Sequence, residues 1–424
     1  MATAAHSKAR LSQGADAGAS VRRNSGRLLE IESLRGVAAT SILIFHCWVF
    51  SSPAVFTWNL GPLTAFMQPL QSGVTLFFVL SGFLLYRPVV EALAEGRAGP
   101  RLLPYLRNRA LRILPAYWAV LLLSGLLLRS ATTHAASRGV GAGALTDPHV
   151  LGSDLALVQT YRPSTIWTGV LPAWSLTVEV AFYLTLPLLA LAAARLARRR
   201  LAVEAALVPA VGLLVLGAVG KLGVVLFSPG PERTGGGTWH AVLDRSILTH
   251  ADLFAFGMAA AVAYVMWERR PEGPPRFIVD GLVGRLLAYV GLPVLILGFY
   301  LIPAYLYDSL VAFFAAVLLL RLLSPHRNPR RRILTHRWAV SWGRLSYSVF
   351  LWNFPVLTFL ALHGLLASGH GPLDFLRNLA TGTLVVGALA FLTYRFVEAP
   401  ALALKHARRS RRRDLETAPA RSPA

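Results

Sequence analysis

The most constraining feature of the sequence is a series of apolar blocks, each about 18–23 residues long. A helix of that length crosses roughly 30 Å of hydrocarbon, whereas membrane barrel strands alternate apolar and polar residues over about 10 positions. We place about ten such blocks, which predict ten spanning helices, at 35–54, 73–91, 111–128, 173–194, 205–227, 250–267, 284–302, 305–322, 342–364 and 378–398. The expected fold is an all-α, polytopic membrane helical bundle.

The charges of the chain support a membrane protein rather than a nucleic-acid-binding one. The net charge is +22, yet only 15% of the 424 residues are charged, against about 25% in a typical soluble domain. The Lys and Arg residues lie in short loops and in the two tails, about 28 on one side of the predicted membrane and about 6 on the other. This asymmetry predicts that both termini are cytoplasmic and that the protein is a multi-pass plasma-membrane protein surrounded by lipids.

The predicted domain organisation is a single membrane domain with two tails. Residues 1–29 are polar and lack the apolar core of a cleavable signal peptide, so we expect a disordered cytoplasmic tail, followed by a membrane domain at 30–404 and a basic disordered tail at 405–424. The glycine-rich loop at 129–172 is expected to be flexible or re-entrant. The single cysteine, Cys47, excludes an intramolecular disulfide and a cysteine-based zinc site, and we expect no bound metal.

Several polar residues lie inside the predicted spans, where an ionisable group is costly and indicates function. His46 follows Arg35 by eleven residues, which places it roughly 16 Å further along the first span, near mid-membrane. Glu179, Ser81 and Asn353 are expected at a similar depth. We predict that Glu179 lies beside His46, orients its ring and raises its basicity; ordinary packing and structural hydrogen bonds are the alternatives for these residues.

A second group of residues lies at the predicted cytoplasmic level. It consists of Arg107, Arg109 and Arg112, which lead into the third span, together with Arg344, Arg395 and Glu398. Guanidinium groups pair with phosphate through a fixed fork of donors, so the three arginines suit a phosphorylated ligand. The alternatives are plain positive-inside charge for the arginines and an i,i+3 salt bridge between Arg395 and Glu398.

Six segments, in chain order, resemble the motifs of the membrane acyltransferase-3 family. They are Arg35-Gly36 with His46 eleven residues after Arg35; Gly73 through Phe83; Arg109-Ala110-Leu111-Arg112 with Pro115 and Tyr117; Trp174-Ser175-Leu176 with Glu179; Gly343 through Asn353; and Phe396-Val397-Glu398-Ala399-Pro400. The resemblance covers about residues 29–404, which is nearly the whole chain.

This resemblance implies O-acylation of bacterial sugars, polyketides or glycopeptides, with acyl-CoA as the donor substrate and no tightly bound cofactor. It implies that Arg35 and His46 are the essential pair, that Arg109 and Arg112 bind the donor, and that Glu179 contributes. The rest of the predicted donor-binding set is Arg107, Tyr117 and Arg344. The Ala-, Arg-, Leu- and Gly-rich composition indicates a high-GC bacterium such as an actinobacterium, with a carbohydrate, glycolipid or macrolide-type acceptor.

The expected mechanism is general base catalysis. His46 would take the proton of an acceptor hydroxyl, Glu179 would orient His46, and Asn353 or Ser81 would donate to the oxyanion. A covalent acyl-enzyme on Ser81 or His46 stays open. The rival hypothesis is a proton-coupled exporter of a lipid or glycan that uses the buried His and Glu, although the chain lacks the repeat symmetry and paired broken helices of many transporters.

Overall fold

The fold is an all-α membrane bundle, as the apolar blocks predict. The computed structural model describes residues 29–51, 64–136, 139–198, 201–227, 236–269, 281–291, 293–294, 298–323, 331–367 and 371–404. Within these ranges, nine helical segments are long and apolar enough to span a membrane. They are Leu29–Phe50, Thr64–Ala94, Leu102–Leu127, Leu171–Leu196, Ala202–Leu226, Trp239–Glu268, Ala304–Leu323, Arg337–Leu362 and Pro372–Leu404.

The predicted seventh span, 284–302, differs from the others, because its described residues do not form a single long helix. They form the short helix Leu282–Leu286, the π-helical turn Leu287–Gly291 and the 3-10 turn Gly298–Tyr300; residues 292 and 295–297 lie outside the described ranges. The predicted tails also lie outside these ranges, apart from Leu29, and the cytoplasmic placement of the termini stays a prediction.

The helices are numbered here in chain order. They are α1 Leu29–Phe50, α2 Thr64–Met67, α3 Gly73–Ala94, α4 Leu102–Leu122, α5 Pro148–Leu155, α6 Trp174–Leu196, α7 Ala202–Leu226, α8 Trp239–Asp244, α9 Ile247–Glu268, α10 Leu282–Leu286, α11 Ala304–Leu323, α12 Arg331–Leu334, α13 Arg337–Leu362 and α14 Pro372–Thr393. A 3-10 turn, Gln68–Ser72, joins α2 to α3, and a π-helical turn, Tyr394–Glu398, extends α14 into a last helical stretch at 399–404.

The segment between α4 and α6 is folded, which differs from the predicted flexible or re-entrant loop. It contains a π-helical turn, Leu123–Leu127, two antiparallel strands, β1 Ala131–Ala136 and β2 Gly139–Gly143, helix α5, and 3-10 turns at Gln159–Tyr161 and Leu171–Ala173. Thr132 and Gly169 exchange backbone hydrogen bonds of 2.9 and 2.8 Å. This pairing ties the beginning of the segment to its end and holds it at one end of the bundle.

Helix α1 crosses α13 at a pair of glycines. The backbones of Gly36 and Gly343 face each other, and a methyl group on Gly343 would overlap the carbonyl of Glu32. Small residues at such a crossing allow close backbone approach within a membrane. Trp342 adds a hydrogen bond of 2.7 Å from its Nε1 to Thr40 Oγ1. The crossing therefore aligns α1 with α13 and positions the residues that follow along both helices.

The folded segment encloses one buried acid, Asp154. Its side chain is fully buried, Thr168 donates a hydrogen bond of 3.3 Å to Oδ1, and Oδ2 has no hydrogen-bond partner within the described part of the chain. Burial disfavours the charged form and raises the pKa of the Asp154 carboxyl from its ordinary value of 3.8 to about 7, more than the Thr168 hydrogen bond lowers it. Asp154 is therefore a pH-sensitive element of this segment.

We expect the stability of the protein to depend on pH through Asp154. Because the folded-state pKa of Asp154 is raised, folding favours its protonated, neutral form. The contribution of Asp154 to the free energy of unfolding is therefore fully present below about pH 4 and is lost as the pH rises through about 7. Asp154→Asn, which stays neutral, should raise the thermal midpoint by several degrees at pH 8 and change it little at pH 4. Tryptophan fluorescence during heating measures this difference, and an equal shift at both pH values would contradict it.

Candidate active site

His46 pairs with Asn353 rather than with Glu179. His46 Nδ1 lies 2.5 Å from Asn353 Oδ1, across the α1–α13 interface. Phe354 packs edge-on against the imidazole at a centroid distance of 5.3 Å, and Phe45 lies at the same distance. No hydrogen bond joins His46 to Glu179 among the described residues, so the predicted pairing of these two residues is wrong.

The hydrogen bonds of Asn353 determine the tautomer of His46. Asn353 Nδ2 donates to the Phe350 carbonyl at 2.6 Å, so Oδ1 is the amide atom that faces the imidazole. An amide oxygen only accepts, and the proton between them therefore belongs to His46 Nδ1. Nε2 is left with its lone pair, and it has no partner within the described ranges. Asn353 thus makes the contact to His46 that was predicted for Glu179, and the same His–Asn combination occurs in Cys-His-Asn catalytic sites.

Glu179 belongs to a different cluster. Its Oε1 accepts hydrogen bonds from Ser81 Oγ at 2.6 Å and from Tyr183 Oη at 2.5 Å. A serine hydroxyl has a single proton, so Ser81 does not act as an oxyanion donor in this arrangement. Asn353 differs, because its amide nitrogen carries two N–H donors and donates to the Phe350 carbonyl. The oxyanion role predicted for Asn353 stays a prediction.

The Glu179 cluster lines a cavity of about 730 Å³, including space open to solvent, which we call the arginine cavity. Its polar lining residues are Arg35, Ser81, Arg109, Arg112, Ser175, Glu179, Tyr183 and Tyr347, and its apolar ones include Phe77, Phe78, Leu80, Leu84, Ile113 and Phe350. Arg35 Nε and Arg109 Nε are buried donors without a hydrogen-bond partner in the described part of the chain. Three guanidinium groups and one carboxylate leave the lining with an excess of positive charge, which suits an anionic ligand.

Arg112 is held in this cavity by a buried acid from the π-helical turn that follows α14. Arg112 Nη1 lies 2.5 Å from Glu398 Oε1, and Ser348 donates to Glu398 Oε2 at 3.1 Å. Glu398 is 1% exposed, whereas Arg395 is exposed. The alternative given for this pair, an i,i+3 salt bridge between Arg395 and Glu398, is therefore wrong. The π-helical turn at Tyr394–Glu398 has more residues per turn than an α-helix, which explains why Glu398 points into the bundle.

His46 lines a second cavity, of about 1010 Å³ including space open to solvent, which we call the histidine cavity. Its polar and aromatic lining residues include His46, Gln71, Thr75, Trp167, Trp174, Arg245, His250, Tyr307 and Asp308. Phe78 and Phe350 line both this cavity and the arginine cavity. The two cavities thus meet at a shared aromatic wall, with the arginines on one side of it and His46 on the other.

Three of the predicted donor-binding residues do not line the arginine cavity. Tyr117 is fully buried and its hydroxyl donates to the Asp154 carbonyl at 2.7 Å, so it holds the folded segment to α4 instead. Arg344 is exposed on α13, and Arg107 is half-buried without contributing to the cavity lining. The α-helical period accounts for Arg107, because it lies two residues from Arg109 and faces another direction.

Other ionisable residues near the histidine cavity were not predicted as site residues from the sequence. His250 and Asp308 line the cavity, and behind them Lys221 Nζ lies 2.5 Å from Asp252 Oδ2 and donates to Ser309 at 2.5 Å. All four ionisable residues fall within the predicted spans, so the criterion that selected His46 would also have found them. In the described ranges, no group of three or more His, Cys, Asp or Glu side chains is arranged to hold a metal ion.

A protein-family comparison identifies the class of enzyme. The model of the family described as an acyltransferase domain, Acyl_transf_3, matches residues 28–395. The chain belongs to the acyltransferase-3 family. The family is described as an acyltransferase domain, and the nine apolar helices of the described residues agree with a multi-pass membrane protein of this family.

Three curated proteins are similar to this acyltransferase. Exopolysaccharide production protein ExoZ of Rhizobium meliloti is 27% identical over 80% of this chain and 91% of its own length. Acyltransferase MdmB of Streptomyces mycarofaciens is 32% identical over 38% of this chain, and Nodulation protein 10 of Rhizobium leguminosarum is 30% identical over 41%. The chain spans only 39% of MdmB and 47% of Nodulation protein 10. No solved structure matches it.

We expect Asn353 to act as a positioning residue for His46. Asn353→Leu removes the acceptor for Nδ1–H and should lower the rate of acyl transfer by at least about 100-fold. Asn353→Asp keeps an acceptor and adds a negative charge that stabilises the imidazolium, so it should retain more activity and shift the pH profile of kcat/KM upward. The measurement is the pH dependence of acyl transfer by membranes that contain each variant. Wild-type rates for Asn353→Leu would contradict the positioning role.

Proposed function

We propose that the protein is an integral membrane O-acyltransferase that transfers an acetyl or short acyl group from acyl-CoA to a hydroxyl of a carbohydrate, glycolipid or macrolide-type product. The observation that carries this proposal is the pair of adjoining cavities. One presents three arginines and the other presents a histidine whose Nε2 has no partner among the described residues, and of those residues only Phe78 and Phe350 line both cavities. This arrangement suits a charged acyl donor in the arginine cavity and an uncharged acceptor hydroxyl in the histidine cavity, which meet at the shared aromatic wall.

The arginine cavity is the proposed donor site. Coenzyme A carries a diphosphate and a 3′-phosphate, and arginine binds phosphate oxygens through paired N–H donors. Arg35 and Arg109 each have a buried donor without a partner within the described ranges, whereas Arg112 is held in place by Glu398. The predicted cytoplasmic location of these arginines matches the compartment in which acyl-CoA occurs.

His46 is the proposed general base. Its Nε2 takes the proton of the acceptor hydroxyl as the hydroxyl oxygen attacks the thioester carbonyl. The carbon–sulfur bond then breaks, and the imidazolium returns the proton to the departing thiolate, so that an ester and a free thiol are formed. Asn353 Oδ1 accepts from Nδ1–H throughout, which keeps Nε2 directed at the reacting groups and stabilises the imidazolium.

The aromatic wall favours a short acyl group. Phe78 is buried and packs against Phe254 at a centroid distance of 4.8 Å, and Phe254 stacks on Phe182 at 4.1 Å. Close-packed interiors yield little to an added group, so a long chain would have to displace this whole stack to pass Phe78. An acetyl group needs less space, and it is therefore the donor group that we expect to react fastest.

The name of one similar protein, an exopolysaccharide production protein, supports a carbohydrate-type acceptor. A plasma-membrane location and an actinobacterial source are part of the same proposal. The exporter hypothesis gains no support from the family match. It predicts movement of a lipid or glycan without an acylated product.

The decisive experiment supplies labelled acetyl-CoA or octanoyl-CoA to membranes that contain the wild-type protein, His46→Ala or His149→Ala. His149 is an exposed histidine outside both cavities, so its variant is the matched control. We expect the wild type and the control to acetylate an envelope or secreted compound, little transfer from octanoyl-CoA, and a loss of at least about 100-fold in His46→Ala. Mass spectrometry identifies the acceptor by its added acyl mass.

Full acetyl transfer by His46→Ala would overturn the proposed role of this residue. Export of a lipid or glycan that carries no acyl group, with no labelled product in any sample, would instead favour the exporter.

A further inference from the structure

The histidine cavity has a second polar wall that the proposed mechanism does not use. Arg245, between α8 and α9, stacks on Trp167 from the folded segment, with its guanidinium carbon 4.1 Å from the ring centroid. Trp174, the first residue of α6, lies 5.9 Å from the same carbon. All three side chains line the cavity that contains His46. Stacking on tryptophan holds a guanidinium group in one orientation before any ligand binds.

This wall presents two buried donors that lack acceptors. Trp167 Nε1 and Arg245 Nη1 have no hydrogen-bond partner in the described part of the chain. The nearest carboxylate oxygen, Asp244 Oδ2, lies 3.9 Å from Arg245 Nη1, which is beyond hydrogen-bond distance. Buried polar groups are nearly always paired. Two unpaired donors on one wall therefore indicate a ligand that supplies acceptor oxygens.

The positive charge of Arg245 is not cancelled by the acid of the same cavity. Asp308 accepts a hydrogen bond of 3.1 Å from Thr75, and it lies within electrostatic range of His250 and Lys221. Asp308 thus interacts with groups on α3, α7 and α9 rather than with Arg245. Asp244 offsets part of the Arg245 charge at 3.9 Å, but it accepts no hydrogen bond from either donor of the Trp167–Arg245 wall, and the natural complement of two unpaired donors, one of them cationic, is an oxyanion.

We propose that the Trp167–Arg245 wall is an acceptor subsite that binds the carboxylate or phosphate group of a glycosyl acceptor. Arg245 Nη1 and Trp167 Nε1 donate to the oxyanion, which leaves a hydroxyl of the same molecule free to reach His46. This inference rests on the proposed function in one respect, namely that the histidine cavity holds the acceptor. It narrows the acceptor to sugars that carry an acidic group.

The test is a binding measurement on the full chain in nanodiscs, without any acyl donor. The probes are methyl β-D-glucuronide, glucose 6-phosphate and methyl β-D-glucoside, and calorimetry gives each Kd. We expect at least one anionic probe to bind about 10-fold or more tighter than the neutral glucoside, the gain typical of a charge-assisted hydrogen bond. The preferred probe shows whether a carboxylate or a phosphate is recognised.

The variants assign the preference to this wall. Arg245→Gln should abolish the preference for the anionic probe over the neutral glucoside. Arg245→Lys should retain part of this preference because the charge remains, and Trp167→Phe should reduce it about 3-fold or more by removing one donor. Arg162→Gln, which changes an exposed arginine of the same segment outside the cavity, should leave it unchanged.

Equal affinities of the wild type for the neutral and anionic probes would overturn the inference. So would saturable binding of none of them, or a preference that persists in Arg245→Gln. His46→Ala should keep the preference, because binding requires no base. Absence of acyl transfer by the wild type, with its preference for the anionic probe intact, would count against the proposed function alone. Acyl transfer by the wild type without that preference would count against this inference alone.

Discussion

The hydrogen bond between His46 and Asn353 depends on how closely α1 approaches α13. At Gly36 and Gly343 the two backbones meet with no side chain between them, and the Trp342–Thr40 hydrogen bond secures the same contact. From this crossing the helices run on to the level of His46. A side chain at residue 343 would separate the helices and leave a polar imidazole in an apolar interior without its partner, which is costly. The catalytic arrangement is therefore a consequence of backbone packing.

Other buried charges of the bundle lie on the two sides of the shared aromatic wall. On one side of the shared aromatic wall, Arg112 is paired with Glu398, and Glu179 is paired with two hydroxyl groups. On the other side, Lys221 is paired with Asp252. A buried charge is tolerated when it is paired and hydrogen-bonded. Arg35 Nε, Arg109 Nε and Arg245 Nη1, which have no hydrogen-bond partner in the described part of the chain, belong to residues that line the two cavities.

The spacing of residues along each helix was predictable from the sequence, whereas the direction in which each side chain points around its helix was not. A helix rises about 1.5 Å per residue, so the predicted levels of the arginines and of His46 follow from local geometry alone. Which of Glu179 and Asn353 faces His46 depends on helix crossings formed by residues far apart in the chain. The inward turn of Glu398 depends on a π-helical turn that has no clear sequence signal. His250 and Asp308 were within reach of the same reasoning, because both are ionisable residues inside predicted spans.

The most direct test of this account is the protonation of the His46 ring in the resting enzyme. Nitrogen-15 NMR of histidine-labelled protein, with His46→Ala to assign the signal, distinguishes a protonated from an unprotonated ring nitrogen. We predict a neutral imidazole with the proton on Nδ1 and a lone pair on Nε2. In Asn353→Leu, we expect this fixed tautomer to be lost. A proton on Nε2 in the wild type would contradict it, because the nitrogen assigned to take the acceptor's proton would already carry one.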